Sequence, residues 1–96
     1  MSNKEAYEQK LQAKLDEMQA EVDKLKAKAD EAEADARIER EKEIDRLEAK
    51  REEMREKLEE IRNSSDDAWD DIKTGAESAW NSLTESLDKA RSRFKK

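Results

Sequence analysis

The sequence predicts an all-α, elongated protein: a long helix followed by a shorter C-terminal amphipathic helix, arranged as an oligomeric coiled coil or a helical hairpin. Three observations lead there. Ala, Glu, Lys, Leu and Arg supply 58 of the 96 residues, above the ~50% typical of coiled coils and long helices. Only one glycine and no proline punctuate the chain. Apolar residues recur in alternating steps of four and three from Leu11 to Ala36, the heptad pattern of a helix–helix seam. Leu, Ile, Val and Phe number just thirteen, below the ~20% on which a packed globular core normally draws. A β-sandwich, an α/β domain and a pocket-bearing enzyme core are excluded on these grounds.

The first element, residues 1–62, is the long charged coiled-coil helix. Leu11, Met18, Leu25 and Ala32 form one row of its seam; Leu15, Val22, Ala29 and Ala36 form the other. A stripe this narrow cannot satisfy itself on a lone helix, so these eight residues are the expected self-association surface, with packing inside the chain as the alternative. From residue 37 to 43 the seam lapses, with Arg40 where a core residue belongs. It resumes one residue out of phase at Ile44, Leu47, Arg51, Met54, Leu58 and Ile61. Glu, Arg and Lys favour helical continuity here, so the first reading is one helix from about residue 4 to 62, some ~90 Å long. The second is a tight turn at 37–43 that folds the chain back.

The second element, residues 63–96, opens on Asn63-Ser64-Ser65-Asp66-Asp67. Ser64 or Ser65 can cap a new helix by accepting a bond from an amide two or three residues on. Asp66, Asp67, Asp70 and Asp71 at its start, and Lys89, Arg91, Arg93, Lys95 and Lys96 at its end, both complement the helix dipole. The apolar residues are read with a period of eleven: Trp69 and Trp80, then Ile61, Ile72, Leu83 and Phe94, with Ala76 and Leu87 completing the stripe. Such a stripe runs nearly parallel to the helix axis for about 40 Å. Trp69, Ile72, Ala76, Trp80, Leu83, Leu87 and Phe94 therefore form a helix-packing face or, with the Ser/Thr-rich flank beside them, a lipid face.

The chain contains no His and no Cys, which removes imidazole catalysis, thiolate nucleophiles, disulfides and His/Cys metal sites. The acidic cluster lacks the glycine and closing glutamate of a calcium loop. No catalytic, cofactor-binding or metal-binding residue is expected, and no small-molecule substrate. The net charge of −6 argues against nucleic acid as a partner. The polar opening, MSNKEAYEQKLQAKLDEMQ, has no apolar signal-peptide core, so a cytoplasmic location is expected.

The tail SSDDAWDDIKTGAESAWNSLTESLDKARSRF, with two Ala-Trp units eleven apart, a Lys-x-Gly between them and a closing Ser-x-Phe, resembles the ending of short bacterial coiled-coil proteins of the stress-response type. The opening NKEAYEQKLQAKLDEMQAEVDKLKAKADEAEADAR is also similar to theirs. The resemblance implies a non-enzymatic, cytoplasmic protein linked to stress and supplies no catalytic residues. The expected function is that of a self-associating structural or interaction protein, a homo-oligomer. The alternative is a peripheral membrane binder that uses the C-terminal amphipathic helix on a membrane surface.

Overall fold

Nothing between Asn3 and Asp30 resists a helix: there is no Gly or Pro, and Ala, Glu, Lys, Gln and Leu dominate. The computed structural model describes residues 3–94 and forms helix α1 over this stretch, Asn3–Asp30. Side-chain bonds from Gln12 to Asp16 (3.0 Å) and Gln19 to Asp23 (2.8 Å) brace its outer face. Helix α2 spans Ala34–Arg62 and helix α3 Trp69–Phe94. The fold is all-α and somewhat elongated, with extents of 51 × 19 × 18 Å.

The expected single helix from 4 to 62 does not occur. The chain reverses at Glu31-Ala32-Glu33, so α1 and α2 lie antiparallel and α3 runs back beside them. The tight turn is real, but it falls before 37–43, and 37–43 is helix throughout. The energetics explain the reversal. Helix propensity separates ordinary residues by only ~0.7 kcal/mol or less, whereas each large apolar side chain gains about 1.5–3 kcal/mol on full burial. Folding back lets the α1 seam and the α2 seam cover each other. Once they sit on separate helices, their difference in phase no longer matters.

The core forms two clusters along the axis. One joins Met18, Val22, Leu25 and Ala29 of α1 to Ile44 and Leu47 of α2 and to Leu83, Leu87, Ala90 and Phe94 of α3. The other joins Leu11 and Leu15 to Met54, Leu58, Ile61 and Ala76, with Tyr7, Trp69, Ile72 and Trp80 packed around it. Trp80 touches both clusters. Arg51, the charged residue in the α2 seam, falls between Leu47 and Met54, where one cluster gives way to the other; its Nε is buried without a hydrogen-bond partner.

The second turn follows its composition closely. Ser64 Oγ donates to the Ile61 carbonyl (2.6 Å) and closes α2. Ser65 Oγ accepts from the Ala68 amide (3.2 Å), three residues on, and opens the turn into α3. The regular helix begins at Trp69, three residues later than a cap at Ser65 suggests. The residues between form a single tight turn in which the Ala68 and Trp69 amides also donate to the Ser65 carbonyl. Lys4 crosses from α1 and donates to the free carbonyls of Arg62 (3.2 Å) and Ser64 (2.6 Å), the favoured placement of a cation at a helix C-terminus.

Candidate functional site

The heptad residues expected to associate with another chain divide into two groups. Leu11, Leu15, Met18, Val22, Leu25 and Ala29 are buried, at most 3% exposed, and their cover comes from α2 and α3 of the same chain. Ala32 is half-buried and Ala36 is exposed. The turn at 31–33 cuts the seam before its last two members, so they lack the neighbours that the other six have. Beside them Ile38, 52% exposed, is the one large apolar side chain among the described residues that stands mostly in solvent.

That end of the bundle carries an open groove of about 500 Å³ lined by Ala36, Glu39, Arg40, Glu43, Arg93 and Phe94. Glu43 is the sole buried charged residue among those described, at 8% exposure. It accepts from Arg46 (2.9 Å) on its own helix and from Arg93 on α3, so its charge is compensated on two sides. The Arg40 guanidinium stacks 5.1 Å from the Phe94 ring, a cation–π contact that closes the base of the groove. Lys95 and Lys96, expected to extend the basic helix end, lie outside the described residues.

The α3 stripe also divides. Ala76, Leu83, Leu87 and Phe94 are buried, whereas Trp69, Ile72 and Trp80 are half-buried. Trp69 and Trp80 lie where α3 faces α1, the thinnest of the three helix–helix interfaces, whereas Ile72 borders Arg55, Glu56, Glu59 and Glu60 of α2. Tyr7 packs against Trp69 at 5.6 Å between ring centroids. Lys73 Nζ stands 5.3 Å from Tyr7 and 5.7 Å from Trp69, and Lys14 Nζ stands 4.7 Å from Trp80. Burial pushes the Tyr7 phenol above its ordinary range, and the Glu77 carboxylate adds to the shift.

Charged pairs stitch the flanks. Arg91 of α3 holds Glu21 of α1 at 2.7 Å, and this hydrogen-bonded pairing lowers the Glu21 carboxyl below its usual value. Lys26 of α1 meets Glu48 of α2 at 2.5 Å, and the carboxylate raises the Lys26 ammonium. Lys50 of α2 donates to the hydroxyls of Ser82 (2.9 Å) and Ser86 (2.7 Å) on α3. Part of the Ser/Thr flank that suggested a lipid face is thus a hydrogen-bonding partner for α2.

Two packed residues escape the sequence reading. Ala90 is fully buried; Ala76, Leu83 and Ala90 stand seven apart, as do Trp80, Leu87 and Phe94. From Ala76 onward α3 packs with a heptad spacing, and reading it as a period of eleven passes over Ala90. Glu43 carries no signal at all, because nothing distinguishes it from the exposed glutamates around it.

No helix of the described residues is long and apolar enough to cross a membrane. Compared with known proteins, the chain matches no family model, no curated sequence and no solved structure. The stress-response resemblance therefore rests on the residues quoted for it.

Proposed function

We propose that this chain is a non-enzymatic helical interaction protein that associates with further copies of itself, in the cytoplasm and in the stress-related setting that its resemblance implies. The observation that carries the reading is the idle end of the seam: Ala32 in the turn and Ala36 on α2, which continue the buried row only in sequence, stand next to solvent-exposed Ile38. An apolar row that outlasts its intrachain cover suits a second helix. The non-enzymatic part is supported by the lack of His and Cys and by the groove beside the seam, whose Glu43 and Arg93 neutralise each other. Sedimentation equilibrium from micromolar to millimolar concentration tests the reading: a concentration-dependent rise in mass is expected, and a monomer throughout ends it.

A second reading, attachment to a membrane surface through α3, is favoured by the half-buried Trp69 and Trp80 along the thin α1–α3 interface. Opening that interface would present aromatic residues to a bilayer. Co-sedimentation with vesicles separates the two readings. Lipid binding shifts Trp fluorescence to the blue and is abolished by Trp80→Glu, whereas self-association alone leaves the spectrum indifferent to vesicles.

A further inference from the structure

The turn between α1 and α2 is made of residues that prefer helix. Glu31, Ala32 and Glu33 include no Gly, Pro, Asn or Ser, and no described residue has a positive φ. Glu33, the N-cap of α2, makes no side-chain cap bond; its φ of −65° is already helical, and its ψ of 158° departs from the helix. Two backbone bonds flank the turn, from the Ala32 amide to the Ala29 carbonyl (3.1 Å) and from the Arg37 amide to the Glu33 carbonyl (2.8 Å). The second of these is the bond a continuous helix would make. The turn is held by the packing on either side of it and opposed by its own sequence.

We propose that this turn is a hinge for helix exchange: α1 and α2 straighten into one helix, and α1 packs on α2 and α3 of a second copy of this chain. The proposal rests on the self-association reading above and names its partner and its route. No new complementary surface is required, because Leu11, Leu15, Met18, Val22, Leu25 and Ala29 meet the same neighbours on the second copy as they meet in the closed chain. Exchange is reciprocal, so the arrangement closes as a two-fold dimer. The straightened helix covers about 60 residues and ~90 Å. The two such helices run antiparallel and pass each other at the former turn. Ala32, Ala36 and Ile38 lie at that crossing, where small residues allow close approach. The closed bundle leaves Ala32 half-buried and Ala36 and Ile38 exposed; the exchanged dimer covers them further. Lys26–Glu48 and Arg91–Glu21 then join different chains.

The test uses the absence of native cysteine. Lys26 and Glu48 meet across α1 and α2 at 2.5 Å, so a Lys26→Cys/Glu48→Cys variant carries the only two thiols, within reach of a short bis-maleimide. The variant is concentrated, its dimer and monomer fractions are separated, and each is cross-linked and run on a denaturing gel. The dimer fraction should give chains joined at twice the monomer mass, and the monomer fraction a chain joined to itself. A dimer fraction that cross-links only within chains refutes exchange and leaves self-association standing. The absence of a dimer at every concentration refutes both. An independent arm is Ala34→Pro. Residue 34 is the first of α2, where proline is welcome, and Glu33 before it already has the extended conformation proline demands. Within a continuous helix the same proline clashes with the preceding turn. The variant should melt no lower than the parent as a monomer and raise the dimer dissociation constant by roughly ten-thousandfold, about a hundredfold for each of its two straightened helices. Undiminished dimerisation of a well-folded Ala34→Pro protein overturns the proposal.

Discussion

The two connections of this bundle reverse the chain by different means. The one at 63–68 is chemically written: Ser64 closes α2, Ser65 opens the way to α3, and Lys4 reaches over to the carbonyls of Arg62 and Ser64. The one at 31–33 has no side-chain cap at Glu33 and no residue of a turn-forming type. The packing beside them differs in the same sense. Near the written turn lie Leu58 and Ile61, both fully buried, with Trp69 and Tyr7 around them. Near the other lie Ala29, Ala32 and Ala36, with Phe94 of α3 beside them. One end of the molecule is specified locally and packed with large side chains. The other reverses only because the helices beyond it have somewhere to go.

The comparison is broken most severely through the core. Leu58→Ala removes a side chain with 0% exposure at the written end and should cost about 2–5 kcal/mol. Ala29→Gly at the unwritten end has little packing to lose and should cost about 1 kcal/mol, mostly from helix propensity. Urea unfolding at unchanged m-value measures both. Equal losses would mean that the two ends carry similar packing energy.

Ser65→Ala tests the cap itself. The Ala68 amide loses its side-chain acceptor, and the expected cost is ~1 kcal/mol. The mirror experiment adds what the first turn lacks. Glu33 already has N-cap backbone geometry, so Glu33→Ser should stabilise the closed bundle by up to ~1 kcal/mol. The two substitutions are predicted to move the melting temperature in opposite directions. If Glu33→Ser destabilises, then the Glu33 side chain is contributing something that capping cannot replace.

The same contrast decides what could be read from the sequence. The all-α class, the six buried heptad residues of α1, the α2 seam from Ile44 to Ile61 and the break after residue 62 were legible, because each rests on periodicity or on capping chemistry. The reversal at 31–33 was not. Glu-Ala-Glu carries no turn signal, and the preference for a hairpin comes from contacts between residues far apart in sequence, such as Leu15 with the cluster of Leu58 and Ala76. Of the candidate surface, the α3 face was located but its cover was not: whether Ser82 and Ser86 face lipid or Lys50 depends on where α2 lies. Glu43 was illegible for a related reason. Its burial follows from Arg93, fifty positions away, arriving beside it.

The smallest predicted effect concerns α1, the helix whose only chain connection in the bundle is the unwritten turn. What holds it to α3 at the flank is the Glu21–Arg91 pair at 2.7 Å, with side chains 31% and 45% exposed. Arg91 lowers the Glu21 carboxyl in the folded state. For a carboxyl depressed by folding, the stabilisation is fully present above its unfolded pKa. It fades as pH falls through that value and is gone below the folded one. Stability should therefore drop on acidification through the carboxylate range. Because the pair is solvent-accessible, its share is a few tenths of a kcal/mol to about 1 kcal/mol. Added salt should shrink it. Arg91→Gln isolates that share. At neutral pH the variant should be less stable by this small amount, and at a pH where Glu21 is protonated the two proteins should have the same stability. A difference between them that persists unchanged in acid would assign the role of Arg91 to the packing of its aliphatic stem rather than to its charge. The α2–α3 face carries a carboxylate pair of its own, Glu43–Arg93, beside the Lys50 bonds to the neutral hydroxyls of Ser82 and Ser86, so the acid response of Arg91→Gln reports on the α1–α3 flank alone.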